Sequence, residues 1–234
     1  MNYLEPLFWL ALLKIIWINV LLSGDNAVVI AMACRSLPDK MRRTGMILGA
    51  GVAVGMRIVF TAIIAVLLGL PWLRVVGSLA LMYIAVDLVV PEAEGEEGGV
   101  AAHDSLWRAV GTIAVADLVM SLDNVVAIAA VADGDWTLII IGLVISIPMI
   151  IAGAALIMGL LARFPFLVWA GAALLGWVAG EMFVSDVKVL DYFGEALVHH
   201  YEYAAAAAGA VIVLALGWGM TRLRRGSHLP ETHA

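Results

Sequence analysis

Seven apolar stretches dominate the sequence, each close to the roughly 20 residues that a helix needs to cross the hydrocarbon core of a bilayer. Of the 234 residues, 64% are hydrophobic and only 14% are charged. A soluble domain is typically about half apolar and about a quarter charged. The chain is therefore predicted to be an all-α polytopic membrane protein. The predicted spans are 7–33, 44–68, 73–90, 109–132, 136–162, 166–185 and 203–221.

The composition also argues against several classes of protein. The first apolar stretch has neither a short basic region nor a small-residue cleavage site, so we do not expect a removable signal peptide. Cys34 is the only cysteine, which excludes an internal disulfide or a metal–thiolate cluster. No prosthetic group is expected. The net charge of −6 comes from acidic loops, and we expect no nucleic-acid partner.

The basic residues predict an orientation. Nine Lys and Arg residues flank the spans on the side of the 34–43 loop, whereas the opposite side has Lys14, Arg74 and Lys188. Because cytoplasmic loops carry an excess of basic residues, the N-terminus is predicted to lie outside and the C-terminus in the cytoplasm.

Two of the predicted spans contain the same polar interruption, LLSGDNAVVIAMA at 21–33 and LVMSLDNVVAIAA at 118–130. An ionised carboxylate in hydrocarbon costs several kcal/mol unless a partner, a cavity or protonation relieves it. The repetition of this polar interruption in two matching apolar stretches therefore indicates a functional site. The aligned pairs are Ser23 with Ser121, Asp25 with Asp123, Asn26 with Asn124 and, six residues before each Asp, Asn19 with Asp117.

A longer internal repeat contains these motifs. The segment PWLRVVGSLALMYIAVD (71–87) matches PFLVWAGAALLGWVAGE (165–181), so spans 1–3 resemble spans 4–6. Three is an odd number of spans, so the second copy would enter from the opposite face. This predicts an inverted 3+3 repeat plus a seventh helix, a transporter pattern with its site near the midplane.

The predicted organisation follows from the repeat. Its parts are a first repeat (1–90), an acidic cytoplasmic linker (91–108), a second repeat (109–186), an external loop (187–202), a seventh helix with a basic end (203–225) and a tail that resembles a cloning remnant (226–234).

The inversion predicts two layers of polar groups. Asp25 would lie at the depth of Asp117, and Asn19 at the depth of Asp123. Six residues correspond to roughly 9 Å of helix rise and about 240° of turn, so one face of a straight helix cannot carry both layers. Either the helices unwind at the Ser–x–Asp–Asn stretch, or the layers serve different states.

The residue types predict a hard cation. Carboxylates and Asn carbonyls suit Mg²⁺, Ca²⁺ or Mn²⁺, whereas zinc and copper sites favour His and Cys, and no His lies inside a predicted span. The structural alternative is that each Asp–Asn pair caps a broken helix or bonds to a neighbouring span.

Four further residues are predicted to support or gate the site. Ser23 and Ser121 belong to the motifs themselves. Arg57 lies inside span 2 and needs an acidic partner, for which Asp25 and Asp117 are the candidates. It is either a structural ion pair, a side chain that snorkels to the interface, or the counter-ion of the empty site. Glu181 is either a gate or an interfacial anchor.

The chain resembles the TerC family of integral membrane proteins, in particular its YjbE-type branch. The resemblance rests on INVLLSGDNAVVIA (18–31), ADLVMSLDNVVAIAA (116–130) and GAALLGWVAGEMFVSD (171–186). It implies export of divalent metal, chiefly Mn²⁺. The positions that it implies for the metal are Asn19, Asp25, Asn26, Asp117, Asp123 and Asn124.

The leading hypothesis is a secondary transporter that exports Mn²⁺ across the bacterial inner membrane, and not an enzyme. The sequence contains no GxxxxGK[ST] loop, so ATP is not expected to drive transport directly. Intramembrane carboxylates that exchange a proton for a metal would give proton antiport. The alternatives are a membrane-embedded metal sensor or accessory subunit, and an intramembrane aspartyl protease, for which LSGD (22–25) is only half of the motif. The oligomeric state is not predicted.

Overall fold

The computed structural model describes residues 6–22, 24–67, 70–90, 99–132 and 135–226. Within these ranges every regular element is a helix. The helices are α1 (Pro6–Leu21), α2 (Gly24–Cys34), α3 (Asp39–Leu67), α4 (Leu73–Val89), α5 (Gly99–Ala132), α6 (Trp136–Arg163), α7 (Phe166–Val184), α8 (Val187–Phe193) and α9 (Glu195–Gly226). The all-helical class predicted from the sequence is confirmed for this part of the chain.

The described residues provide four to six candidate membrane spans rather than seven. Helices α3, α6, α7 and α9 are each long and apolar enough to cross a bilayer. Two bent pairs bring the number to six: α1 with α2, and the two arms of α5. Helix α4 corresponds to the predicted third span but has only 17 residues, which is shorter than a typical spanning helix.

Both bends fall at the repeated polar motifs. Helix α1 ends at Leu21 and α2 begins at Gly24, with axes 50° apart. Gly is unfavourable inside a helix, and Asp and Asn side chains compete for backbone hydrogen bonds, so this sequence does not favour a continuous helix. Helix α5 remains helical, but its axis turns by 62° between Ser121 and Asn124. The predicted interruption is therefore present in the first span, whereas α5 bends at its motif but stays helical.

Three helices begin several residues earlier than predicted, and the first of them, α3, begins at Asp39 instead of residue 44. Helix α5 begins at Gly99, within the predicted linker, of which 91–98 lie outside the described residues. The predicted external loop 187–202 is helical, since it forms α8 and the first turns of α9. Asp186 caps α8 by accepting the backbone N–H of Lys188 at 2.8 Å, and Gly194, at φ 82°, separates the two helices. Residues 227–234 of the predicted tail lie outside the described residues.

The chain forms two compact units, and each takes segments from both predicted repeats. The first unit contains residues 1–70 and 96–165, with helices α1, α2, α3, α5 and α6. In it α3 packs on α5, while α1 and α2 pack on α6. Its core includes Ile15, Met32, Ile113 and Leu138, all fully buried.

The second unit contains residues 71–95 and 166–234, with α4, α7, α8 and α9. Helix α7 packs on both α4 and α9. A Cβ atom built on Gly176 would lie 2.7 Å from the carbonyl oxygen of Gly209, and one built on Gly180 would lie closer still to that of Ala205. The Gly–xxx–Gly spacing on α7 thus lets two helix backbones touch, as in small-residue membrane interfaces.

One buried carboxylate joins two helix starts in this second unit. Asp186 accepts the backbone N–H of Trp72 at 3.2 Å and of Arg74 at 3.1 Å, in addition to that of Lys188. The same side chain therefore caps α4 and α8, whose first residues are 114 positions apart, counted from Leu73 to Val187.

Candidate cation site at the interrupted helices

Arg57 is the centre of a buried polar cluster in the first unit. Its side chain is only 1% exposed, although it lies in the apolar helix α3. Its Nη2 and Nε donate to the two carboxylate oxygens of Asp117, Nε to Oδ2 at 3.3 Å. This two-point ion pair meets the requirement that a buried guanidinium be paired, and Asp117 is one of the two partners that the sequence predicted.

Two further predicted residues bind the same guanidinium. Nη1 of Arg57 donates to Asn19 Oδ1 at 2.6 Å, and Nε donates to Ser121 Oγ at 2.9 Å. Straight-helix geometry assigns Asn19 and Asp117 to different layers. In the bent helices, one side chain reaches both of them.

Ser146 is a member of this cluster that the sequence analysis missed. It is fully buried in α6, where its Oγ accepts a hydrogen bond from Asn19 Nδ2 and donates to the Leu143 carbonyl at 2.7 Å. The sequence offered one signal for it, a hydroxyl inside an apolar span. Ser146 lies two residues before Pro148, which the repeat aligns with Arg57.

The Asn residues of the two motifs meet at one backbone carbonyl. Leu22, just after the end of α1, presents its carbonyl oxygen to Asn26 Nδ2 at 3.4 Å and to Asn124 Nδ2 at 3.3 Å. The two side chains are 4% and 5% exposed. The interruption of the first span therefore provides the acceptor that holds the corresponding motif of α5 beside it.

The side-chain oxygen of Asn26 accepts no hydrogen bond from any group that the structure describes. This Oδ1 atom is buried. An unsatisfied buried polar atom typically costs about 1–3 kcal/mol, so each case calls for an explanation. The amide nitrogen of Asn26 is held by the Leu22 carbonyl, so among the described groups this oxygen keeps its lone pairs available to coordinate a cation or to accept a hydrogen bond.

Asp25 is the residue directly before Asn26. It is half-buried in the first turn of α2, and its Oδ1 accepts the backbone N–H of Asn26 at 2.8 Å. Its charge interacts with those of Arg57 and Asp117. The two polar clusters thus belong to one electrostatic site in the first unit.

The remaining predicted site residues are not part of the observed geometry. Ser23 lies outside the described residues, as does the side chain of Asp123. Glu181 belongs to the second unit, where it accepts the indole N–H of Trp177 at 2.7 Å. Among the described side chains, no three His, Cys, Asp or Glu residues form a group. A cation here would need Asn and backbone oxygens as well as carboxylates, which is the mixed oxygen set that hard cations accept.

Comparison with known proteins identifies the family. The sequence model of the integral membrane protein TerC family matches residues 4–225. The uncharacterized membrane protein YjbE of Bacillus subtilis is 44% identical over 186 residues, which cover 80% of this chain and 84% of the relative. YceF of the same organism, also an uncharacterized membrane protein, is 27% identical over 76% of this chain and 72% of its own length. No solved structure matches. The chain therefore belongs to the TerC family of integral membrane proteins.

Proposed function

We propose that this protein exports a divalent metal ion, chiefly Mn²⁺, across the bacterial inner membrane by secondary transport. The observation that carries the proposal is the buried Oδ1 of Asn26, to which no described group donates, in the residue that follows Asp25 where a membrane helix is interrupted. Interrupted helices with oxygen ligands are the usual cation sites of secondary transporters. The proposed ligands are the repeated-motif positions Asn19, Asp25, Asn26, Asp117, Asp123 and Asn124.

The choice of Mn²⁺ over softer metals rests on ligand chemistry. The described cluster has carboxylate, amide and carbonyl oxygens, and Cys34 is at the far end of α2, ten residues beyond Gly24. Oxygen-only sites suit Mg²⁺, Ca²⁺ and Mn²⁺. The family resemblance favours Mn²⁺ among these three.

We further propose that the spans form an inverted 3+3 repeat plus a seventh helix, with the N-terminus outside. The packing in the first unit supports the part of this proposal that relates the two repeats by a two-fold axis. A two-fold axis that exchanges the repeats converts the contact of span 1 with span 5 into a contact of span 4 with span 2. Both contacts are present. Span 1, which is α1 with α2, packs on span 5, which is α6, and span 4, which is α5, packs on span 2, which is α3.

Transport in everted membrane vesicles tests the function. Vesicles that contain the protein and a Mn²⁺-sensitive dye should accumulate Mn²⁺. The variant Asp25→Asn should lower the initial rate at least about tenfold, because the amide keeps the shape of the ligand but loses its charge, and even outer-shell changes at metal sites cost 10–100-fold.

The matched control is Asp191→Asn, which removes an exposed carboxylate in α8 that pairs with Lys188. It should transport at the wild-type rate. Wild-type transport by a well-expressed Asp25→Asn variant would contradict the proposed site. Metal binding without accumulation would favour the sensor or accessory subunit instead.

A further inference from the structure

The duplicated motif forms two halves that differ in what fills them. One half, which we call the filled half, consists of Asn19, Asp117 and Ser121, and each of these accepts a hydrogen bond from Arg57. The other, the open half, consists of Asp25, Asn26 and Asn124 around the Leu22 carbonyl. Each half takes residues from both copies of the motif, and Arg57 donates hydrogen bonds to only one of the two halves.

The guanidinium is strongly held in the filled half. It is fully buried, makes a two-point ion pair and donates to two neutral oxygens. Moving it away would leave a buried carboxylate and a buried cation both unpaired, which is strongly unfavourable. An incoming metal ion therefore meets less resistance at the open half, where none of the described groups donates to the Asn26 oxygen.

We propose that Arg57 is a resident cation that permanently fills one half of the duplicated site and limits the protein to one bound divalent cation per chain. This inference rests on the proposed function and specifies its stoichiometry. The inference also narrows the proposed ligand set. The transported ion binds at the open half, and Asn19 and Asp117 act as partners of Arg57 rather than as ligands.

The charges of the two motifs agree with this assignment. When all three carboxylates are ionised, Asp25, Asp117 and Asp123 contribute three negative charges, and Arg57 contributes one positive charge. Their sum is −2, which one divalent cation neutralises. A second divalent cation would leave two uncompensated positive charges within the membrane, where uncompensated charge is costly.

Binding measurements on the full-length protein in nanodiscs test the inference. Mn²⁺ binding is followed by loss of the EPR signal of the free ion, which needs no transport activity. The wild type should bind one Mn²⁺ per chain. The variant Arg57→Met should bind two, or bind the first at least tenfold more tightly, because the filled half is vacated and the site becomes more negative. Arg163→Met, which removes an exposed arginine at the end of α6, should bind as the wild type does.

A double variant covers the case in which Arg57→Met does not fold. Arg57→Met with Asp117→Asn removes both partners of the ion pair and keeps the net charge, so it should again bind one Mn²⁺ with an affinity within a few-fold of the wild type. Loss of binding in this variant would show that Asp117 is a ligand and would overturn the inference.

The remaining outcomes separate the two proposals. Two Mn²⁺ per wild-type chain, or one with unchanged affinity in a folded Arg57→Met variant, would overturn the inference and leave the proposed function intact. No binding by the wild type would contradict the proposed function itself.

Discussion

The two compact units solve the problem of helix packing in a bilayer in opposite ways. The first unit has bent helices around a buried cluster of charged and amide side chains centred on Arg57. In the second, α7 and α9 approach until the backbones touch at Gly176 and Gly209. Polar groups inside a membrane need hydrogen-bonding or charged partners, whereas small residues stabilise packing by letting two helix backbones approach closely.

This contrast separates the unit that contains the candidate site from the unit that contains only close helix packing among its described features. Bent helices expose backbone carbonyls such as that of Leu22, which can hold side chains or ions. Inside closely packed regular helices, backbone groups are bonded within their own helix and are not available to hold side chains or ions. We therefore expect the stability of the first unit to depend on the pairing of its buried charges. The stability of the second unit should depend on glycines that have no side chain between α7 and α9.

The largest expected effect comes from Asp117→Ala, which leaves the Arg57 guanidinium buried without its carboxylate. Removing one partner of a buried pair typically costs about 3–5 kcal/mol. The free energy of unfolding, measured by denaturant titration in mixed micelles, should fall by this amount. The control is Asp191→Ala, which removes an exposed ion pair with Lys188. The Asp191 side chain is 60% exposed and that of Lys188 is 44% exposed, so this pair should contribute at most about 1 kcal/mol.

Equal effects of these two substitutions would contradict the view that charge compensation stabilises the first unit. Addition of Arg57→Met to Asp117→Ala should restore most of the loss, because the orphaned charge is then absent as well.

The next effect is that of Gly180→Ala in the second unit. The added methyl group would meet the backbone of Ala205 and Ala206 on α9, which cannot move as a flexible side chain can. Overpacking of this kind typically costs about 1–3 kcal/mol. Gly51→Ala is the matched control, since it is also helical but its Cβ meets nothing within 4 Å. It should be neutral or stabilise the protein by up to about 1 kcal/mol.

Thermal unfolding followed by circular dichroism compares the two glycine variants. A Gly180→Ala variant as stable as Gly51→Ala would show that the contact between α7 and α9 is looser than the structure indicates.

The smallest effect is expected for Ser146→Ala, which removes the acceptor of Asn19 Nδ2. Hydrogen bonds between membrane helices contribute about 1 kcal/mol, so the loss should be of that size. Ser78→Ala is the control, because that buried hydroxyl donates only to the Val75 carbonyl of its own helix at 2.8 Å. The same unfolding assay should detect a loss for Ser146 and almost none for Ser78.

Much of the helical framework was predictable because hydropathy and prolines mark the ends of apolar helices. The predicted spans 136–162 and 166–185 agree with α6 and α7 to within one residue. Hydropathy did not predict the early start of α9, because HHYEY (199–203) is polar yet helical. A hydropathy pattern reports which residues suit hydrocarbon, and a helix can continue beyond them into water.

The candidate site was predictable in part. Charge logic in a membrane requires a carboxylate beside Arg57, and Asp117 fulfils that expectation. The involvement of Ser146 was not predictable, because a hydroxyl in an apolar helix is common and its partner Asn19 is 127 residues away. The division into two interleaved units depends on such distant pairings, which no local pattern encodes.

The interleaving has a consequence for how the protein is made. Helix α4 is short for a membrane span, and the carboxylate that caps it, Asp186, follows Trp72 by 114 residues. At a synthesis rate of about 5–20 residues per second, that cap leaves the ribosome roughly 6–23 s after Trp72 does. During this interval α4 lacks both its cap and its partner α7. We infer that α4 relies on the insertion machinery or on lipid until the second half of the chain arrives, so the order of synthesis delays assembly of the second unit.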